Sequence, residues 1–481
     1  MSDAGPLDDD QVPSAAPQRA AMRGDLTQGT VGKTLLRFTV PTLGSNVLQS
    51  LNGSISAIYV GKFLGETAFA GAGIANMAMF LIFSSVFGLS MAATIMIGQA
   101  MGRRDHAEVR RIAGATLGTF LIASVILGVL GYIFAPAILH ALSTPAAAYP
   151  YAISFLNIVF LTLPLVFVSM LLQSALRGIG DAVTPLWSTI LNLVFSILLN
   201  PVFILGLGPI PRLGLPGAAI AGAVTNLICL IFIVVRIYML DLPIRLRGPE
   251  LRFIRPDWEH LKPVFTMGVP MSLSTAIMAV SSVIMLGLIN REGVETSAAY
   301  NAAQQLWNYI QMPAFAVGSA VSAMAAQNIG AGRWDRIGQL TRAGVITNVV
   351  MTGLLIGLLL LAGHFLLGLF LPHGARAIEI GDHINWMIGW TFIPMGISMV
   401  LTSVVRANGA VAAPFLILFF SVILVRLSVG FGLFPYFRAD AIWWAFIASS
   451  TSSALLAIVY YFKGGWRAPR PHMRTAPAPA E

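Results

Sequence analysis

A polar turn occurs twice in this chain, each time between two long apolar runs. The first copy, 177–185, reads RGIGDAVTP, and the second, 406–414, reads RANGAVAAP, so arginine, glycine and proline keep their mutual spacing. The displacement from position 177 to position 406 also relates Pro41 to Pro270 and Thr67 to Thr296. Nearly the same displacement relates the Gln-x-x-Gly of Gln99 and Gly102 to that of Gln327 and Gly330. The chain is therefore predicted to consist of two copies of one structural half.

The two halves are too apolar for a soluble protein. Charged residues make up 10% of the 481 positions and apolar residues 57%, whereas soluble domains carry about 25% charged residues. A membrane-spanning helix needs about 20 apolar residues. Twelve such runs occur, at 35–61, 68–98, 110–138, 148–175, 183–206, 215–240, 263–290, 296–326, 339–371, 377–405, 411–434 and 441–462. We expect an all-α polytopic membrane protein with twelve transmembrane helices in two six-helix lobes related by an internal repeat.

The positive charges are distributed unequally between the two ends of such a bundle. Of the 29 lysines and arginines, 23 fall in the tails or in the turns after even-numbered spans, among them Arg19, Arg23, Arg470 and Arg474. The opposite end receives only Lys62, Arg212, Arg291, Arg376 and Arg438, and Arg426 lies within a span. Because cytoplasmic loops collect lysine and arginine, both termini are predicted to be cytoplasmic. The basic excess is thus explained by topology, and no nucleic-acid partner is expected.

Polar segments divide the chain into five parts. We predict a cytoplasmic tail at 1–34, a first six-helix lobe at 35–240, a cytoplasmic linker at 241–262, a second lobe at 263–462 and a cytoplasmic tail at 463–481. The first tail has no apolar core, so it does not read as a signal peptide. Cys229 is the only cysteine, which leaves no intramolecular disulfide and no Cys/His metal spacing. No catalytic set and no metal site are expected, and the protein is not predicted to be an enzyme.

Several short motifs occur in an order that suggests a family. They are the proline of the first span, Val60-Gly61-x-x-Leu64-Gly65 at its end, Gly98-Gln99-x-x-Gly102, Leu176-Arg177-Gly178-x-Gly180-Asp181, and Gly214-x-x-Gly217-Ala218-Ala219. Together they resemble the multidrug and toxic compound extrusion (MATE) family, over about 35–462. The resemblance implies a two-lobed secondary active exporter of small amphipathic or drug-like molecules that works by alternating access. It implies H⁺ or Na⁺ as coupling ion, no other cofactor, and a monomer in the bacterial inner membrane.

The ionisable residues depart from that family. Where members carry an acid in the first span this chain has Ser56, and where an Asp-Pro pair is frequent in the fifth span it has Asn200-Pro201. All 20 acids fall in tails, loops or span ends. Since carboxylates inside membranes are the usual proton and cation carriers, the coupling residues implied by the resemblance are missing from their expected positions.

Neutral polar side chains remain at membrane depth in the first lobe. Spacings of three to four residues place them on one face of the first span and one face of the fifth. The residues are Asn46, Gln49, Asn52 and Ser56, and Asn192, Ser196 and Asn200. We expect them to line a substrate or ion cavity, with hydrogen bonding between packed helices as the alternative.

In the second lobe amides and aromatic rings are interleaved, as in ligand pockets. The predicted cavity residues are Gln304, Trp307, Asn308, Trp386, Trp390 and Arg426. Tryptophan also forms interfacial belts, which is an alternative for Trp307 and Trp390. A buried arginine is costly unless paired. Arg426 is therefore expected either to bond to carbonyl groups, Asp382 or Glu379, or to contact an anion or substrate.

A lipid-linked oligosaccharide flippase of the same superfamily is the alternative function. Such proteins usually have more spans or a strongly cationic cavity, whereas only Arg426 is embedded here. The expected partners are therefore a small-molecule substrate and the surrounding membrane lipid.

Overall fold

The computed structural model describes residues 24–206, 211–371 and 376–468, most of which are helical. The predictions for 1–23 and 469–481, including those for Arg19, Arg23, Arg470 and Arg474, lie outside these ranges. Within them, eleven helices are long and apolar enough to cross a membrane. The first, Val31–Gly102, has 72 residues, about twice the length of most of the others.

This first helix contains two spans that meet at Gly65. The backbone of Gly65 has φ 82° and ψ 178°, so the helix stops there and a new one starts at the next residue. A glycine adopts this conformation at little cost because it lacks Cβ. We call 31–64 α1 and 66–102 α2. The prediction of twelve transmembrane helices in two repeated lobes is confirmed.

The other ten spans follow in chain order. They are α3 His106–Ala141, α4 Tyr149–Gly178, α5 Val183–Leu205, α6 Leu215–Met239, α7 Trp258–Arg291, α8 Val294–Gly330, α9 Trp334–Gly368, α10 Arg376–Ala407, α11 Ala412–Phe437 and α12 Ala439–Lys463. The first lobe comprises α1–α6 and the second α7–α12.

Two spans of the second lobe are irregular. In α10, helical structure stops at Gly389 and resumes at Phe392, just before Pro394, whose missing N–H weakens the preceding turn. In α11, Phe420–Val425 forms a turn of π-helix that ends at Arg426. The apolar pattern predicts both as continuous spans, because hydropathy does not depend on the local hydrogen-bond pattern.

The turns that follow even-numbered helices lie at one end of the bundle, together with both ends of the described chain. Gly24 contacts the turn after α4 at Ile179 and Gly180. Asn408, after α10, donates from Nδ2 to the carbonyl of Trp466, after α12, at 2.5 Å. We call this the basic end, since most of the arginines lie here, and the other the opposite end.

The largest apolar core joins the two lobes at the basic end. Leu35 and Phe38 of α1 and Ile95 of α2 pack there with α8 residues such as Val317 and Met324. Alanines fill much of the α8 contact surface, and small residues let membrane helices approach closely. The lobes are therefore held together mainly through the halves of α1, α2, α7 and α8 that are nearest this end.

The linker between the lobes is folded against α3. Its 3₁₀ turn, Gly248–Ile254, follows a capping box in which the Arg247 amide donates to Glu250 at 3.1 Å. Glu250 also pairs with Arg110 of α3 at 2.9 Å. Gly114 and Gly118 of α3 face the backbone of Phe253 and Ile254, and a Cβ on Gly118 would overlap the Ile254 carbonyl oxygen.

Replacing Gly118 by alanine should destabilise the protein, although alanine is the better helix former by about 1 kcal/mol. The added methyl must displace linker backbone, an overpacking cost of about 1–3 kcal/mol. Gly353→Ala in α9 is the matched control, since a Cβ there meets nothing within 4 Å. Thermal unfolding in detergent should give a lower Tm for Gly118→Ala only. Equal Tm values for the two variants would contradict the observed packing.

Candidate functional site: a cleft between the lobes

Helices α2 and α8 cross at the basic end through small residues. Gly98 packs against Ala326 of the other lobe. A Cβ on Gly102 would overlap the carbonyl oxygen of Gln327, and one on Gly330 would overlap that of Gln99. The glycine of each Gln-x-x-Gly motif therefore packs against the glutamine carbonyl of the other motif. This reciprocal contact explains why glycine occurs at both positions.

The side chains of the same two glutamines bond across the lobe boundary. Gln99 Nε2 donates to the Ala407 carbonyl at 2.6 Å, and Gln327 Nε2 donates to the Gly178 carbonyl at 3.0 Å. Both acceptors lie at the ends of helices, where carbonyl groups lack intrahelical partners. Each acceptor also directly follows the arginine of its copy of the repeated turn, so the two are equivalent positions. We call Gln99 and Gln327 with these two carbonyls the crossed glutamine pair.

Residues 24–30 reinforce this closure. The Leu26 amide donates to Gln327 Oε1 at 2.9 Å, and Asn328 Nδ2 donates to the Leu26 carbonyl at 3.3 Å. Arg336 donates to the carbonyl of Gly29 at 3.0 Å. Since Gly24 contacts the turn of the first lobe, this short segment touches both lobes at the basic end.

Towards the opposite end the same helix faces are exposed. With 3.6 residues per turn, Asn301, Gln305 and Asn308 lie on the face of α8 that holds Gly330, yet all three are exposed. The face that packs against the first lobe at the basic end thus becomes a polar, uncovered stripe further along. The lobes are in contact at one end and separated at the other, which leaves a cleft between them.

The facing stripe on α2 is more apolar. Asn76, Phe80 and Phe87 are exposed and lie on the face that holds Gly98. Phe87 corresponds to Phe315 of α8 in the repeat, and both rings are about half exposed, at 47% and 45%. These aromatic residues are not among the predicted cavity residues. The displacement that relates Gln99 to Gln327 also relates Phe87 to Phe315 and could have identified this pair.

The predicted residues of the first lobe are only partly brought together. Asn52 Nδ2 donates to Asn192 Oδ1 at 2.9 Å, joining α1 to α5. Asn200 is buried and donates to the Ser196 carbonyl and Oγ at 2.8 and 2.9 Å, within its own helix. Gln49 is exposed and lies on the face of α1 that holds Phe38, so it faces the cleft. Asn46 and Ser56 are partly buried.

In the second lobe the predicted residues are divided between surface and interior. Trp307 is buried, and its Nε1 donates to Asn385 Oδ1 at 2.9 Å. Its ring also packs edge-on against Tyr300. Gln304 and Asn308 are exposed on α8, while Trp386 and Trp390 are exposed on α10. Of the predicted residues, Asn308 lies on the exposed face of α8 that lines the cleft, and Gln304 lies beside that face.

Arg426 lies inside the second lobe, between α11 and α12. Its Nε donates to Ser449 Oγ at 3.0 Å, and its guanidinium is 4.6 Å from the centre of the Phe446 ring. Neither Asp382 nor Glu379 pairs with it, so that part of the sequence interpretation was wrong. Asp382 Oδ2 instead lies 2.8 Å from His364 Nδ1. A hydroxyl and an aromatic face are the interactions found for this cation among the described residues.

Among the described acids, Asp382 lies furthest from a helix end, as the seventh residue of α10. The adjacent residue, His383, is 3.0 Å from Asp440 of α12. Two Asp–His pairs thus occupy the opposite end of the second lobe. Every other described carboxylate lies in a turn, a cap or the first turn of a helix.

The two repeated six-helix lobes are in contact at one end and separated at the other by a cleft of neutral polar and aromatic side chains. This arrangement defines a membrane transport protein of the two-lobed type. The MatE family model matches the chain twice, at residues 41–202 and 270–431. The chain belongs to the MatE family. The two matches are offset by the same displacement that relates the two copies of the repeated turn.

Individual relatives cover almost the whole chain. It is 31% identical over 434 residues to the probable multidrug resistance protein YoeA of Bacillus subtilis, covering 90% of this chain and 94% of that protein. It is 24% identical over 445 residues to the probable multidrug resistance protein NorM of Thermotoga maritima, covering 91% and 93%.

Solved structures share the fold. One, described as the outward-facing conformation of a multidrug resistance MATE family transporter of the MOP superfamily, superposes with a TM-score of 0.84 at 18% identity, covering 92% of this chain and 97% of that one. A MOP superfamily transporter from Pyrococcus furiosus, described as having a binding pocket of reverse polarity, gives the same values.

Breaking the crossed glutamine pair should open the basic end. Gln327→Leu removes two buried hydrogen bonds and leaves carbonyl and amide partners unsatisfied, at about 1–3 kcal/mol per group. Spin labels on cysteines replacing Arg104 and Arg333, with Cys229 changed to serine, would report the distance across this end. We expect a longer-distance population that grows at least about fivefold, and a similar change for Gln99→Leu.

Gln173→Leu in α4 removes an amide away from the pair and serves as control. An unchanged distance distribution in both Gln99→Leu and Gln327→Leu would show that the pair does not hold the lobes together.

Proposed function

We propose that this protein is a secondary active exporter of small amphipathic or drug-like compounds that works by alternating access. One observation carries the proposal: a single face of α8 is buried against the other lobe near Gly330 and exposed near Asn301. Exchanging the closed and open ends would carry a molecule in the cleft from one side of the membrane to the other. The two lobes act as rigid bodies in this exchange.

The chemistry of the cleft supports the substrate class. One side presents amides at Asn301, Gln305 and Asn308, and the other presents Phe80 and Phe87. Apolar surface with a few hydrogen-bonding groups suits a compound that is itself partly apolar. Neither stripe includes a lysine or arginine, which disfavours a flippase for anionic lipid-linked oligosaccharides.

The charge distribution supports an inner-membrane protein with both termini in the cytoplasm. The closed end of the bundle carries the basic turns, including Arg103, Arg104, Arg333 and Arg336, and such turns remain on the cytoplasmic side. In that orientation the described form is closed to the cytoplasm and open outwards. Since the cleft is formed by the two lobes of one chain, a monomer is sufficient for transport.

For coupling, we assign the proton-responsive element to the Asp382–His364 contact. The Asp382 carboxylate and the His364 imidazole lie 2.8 Å apart and join α10 to α9, and carboxylates within spans are the usual proton and cation carriers. Ion-gradient coupling without acids in the first and fifth spans requires an ion-carrying group elsewhere in the chain. These residues are the best placed among those described.

Asn308→Leu should lower transport, because it removes a hydrogen-bonding group from the cleft without removing a packed core residue. Loss of one hydrogen bond to a polar ligand, about 1.4 kcal/mol, corresponds to about a tenfold fall in transport efficiency. Export of ethidium from cells that produce equal amounts of protein would measure it. Thr266→Leu, a polar-to-leucine change on the basic half of α7, is the control. Full export by Asn308→Leu and Gln305→Leu would rule out this stripe as the substrate path.

Asp382→Asn should separate binding from coupling. In proteoliposomes the variant is expected to bind ethidium normally. The increase in its transport rate on imposing a pH gradient should be smaller than in the wild-type protein by a factor of about ten or more, since an amide cannot exchange the proton. Asp335→Asn, which changes an exposed acid at the basic end, should retain the response. A pH-gradient response of wild-type size in Asp382→Asn would refute this coupling assignment.

A further inference from the structure

A pocket of about 420 Å³ lies at the basic end, outside the cleft. It is bordered by the start of α3, the linker and the start of α7. Three arginines contribute to its wall: Arg111 from the first lobe, and Arg252 and Arg255 from the linker. The pocket therefore has walls from both sides of the lobe boundary, and we call it the arginine pocket.

None of the three guanidinium groups forms a salt bridge with a carboxylate of the described residues. Arg111 and Arg252 lie 5.8 and 5.7 Å from the centre of the Phe253 ring. All three side chains are exposed, so their donors point into solvent or the pocket. Planar guanidinium groups are well suited to the bidentate recognition of phosphate.

The two acids of the pocket are occupied by other partners. Asp257 Oδ1 accepts from the Glu259 amide at 3.1 Å, and Asp257 Oδ2 lies 2.8 Å from His260 Nδ1. The hydrogen bond with His260, followed by the Glu259 amide, lowers the pKa of Asp257. Glu259 also has interactions of its own. The charge of Arg111 also contributes, more weakly, to lowering the pKa of Asp257. Arg252 and Arg255, with Arg111 beside Asp257, are therefore the groups that can meet an added anion.

Exposed apolar surface extends from the pocket along both neighbouring helices. Trp258, at its rim, is 66% exposed, as is typical of tryptophan at the membrane interface. On α7 the same face continues to Val269 and Leu273, and on α3 the face of Arg111 continues to Ile122; all three are exposed. Apolar surface that could contact acyl chains therefore lies next to the pocket, on α3 and α7.

We propose that the arginine pocket binds the phosphate of an anionic glycerophospholipid whose acyl chains lie along the exposed faces of α3 and α7. Basic pockets between membrane helices are suited to such headgroups. The apolar faces favour a lipid over a free phosphate ion. Because Arg111 comes from α3 and Arg252 and Arg255 come from the linker, the bound headgroup links the start of α3 to the linker that leads into α7.

The test uses the full-length protein in a neutral detergent. Dioleoyl phosphatidylglycerol should raise the Tm by about 3 °C or more in a concentration-dependent way, whereas dioleoyl phosphatidylcholine and inorganic phosphate should not. The triple variant Arg111→Gln, Arg252→Gln, Arg255→Gln should lose the shift. The control Lys33→Gln, Arg37→Gln, Arg342→Gln removes three exposed charges outside the pocket and should keep it.

Native mass spectrometry of the single variant Arg252→Gln gives a second measurement that does not depend on the stability of the triple variant. It should retain fewer bound phosphatidylglycerol molecules than the wild-type protein. An equal shift with inorganic phosphate would make this a site for soluble anions. An equal shift with phosphatidylcholine, or an undiminished phosphatidylglycerol shift in the triple variant, would overturn the proposal.

Discussion

The two lobes meet where a pair of helices comes close enough for the side chain of one lobe to bond to the backbone of the other. In a membrane, apolar side chains gain little by leaving lipid for another helix, so association depends on close packing and hydrogen bonds. Gly102 and Gly330 permit the approach, and Gln99 and Gln327 use it to reach the free carbonyls of Ala407 and Gly178. The cleft exists because this contact occurs at one end only.

Most of the fold could be predicted from the sequence, because its determinants are local. Spans were recognisable from the length of apolar runs, and the lobes from the constant displacement between repeated motifs. The separation of α1 from α2 at Gly65 was also predictable, because the apolar runs 35–61 and 68–98 lie on either side of it. The π-helical turn before Arg426 was not predictable, because it changes only which backbone groups pair and does not alter hydropathy.

Less of the site could be predicted, because exposure depends on the other lobe. The polar pattern of α8 was visible in the sequence, but Trp307 and Asn308 are adjacent residues, one bonded to Asn385 inside the lobe and the other exposed on the cleft stripe. The partners of Gln99 and Gln327 are 308 and 149 residues away. No local pattern predicts such pairs. The repeat identifies which positions correspond, and the structure is needed to show what they contact.

The residues just before the first span contact both lobes, although they lie outside the helical bundle in the sequence. Leu26 bonds through its backbone to Gln327 and Asn328, and its neighbours reach the turn of the first lobe. A form that is open at the basic end must release this segment from at least one lobe. In the proposed alternating-access cycle, the binding free energy of this segment is therefore part of the difference between the two forms, so shortening the chain before Val31 would alter their relative populations.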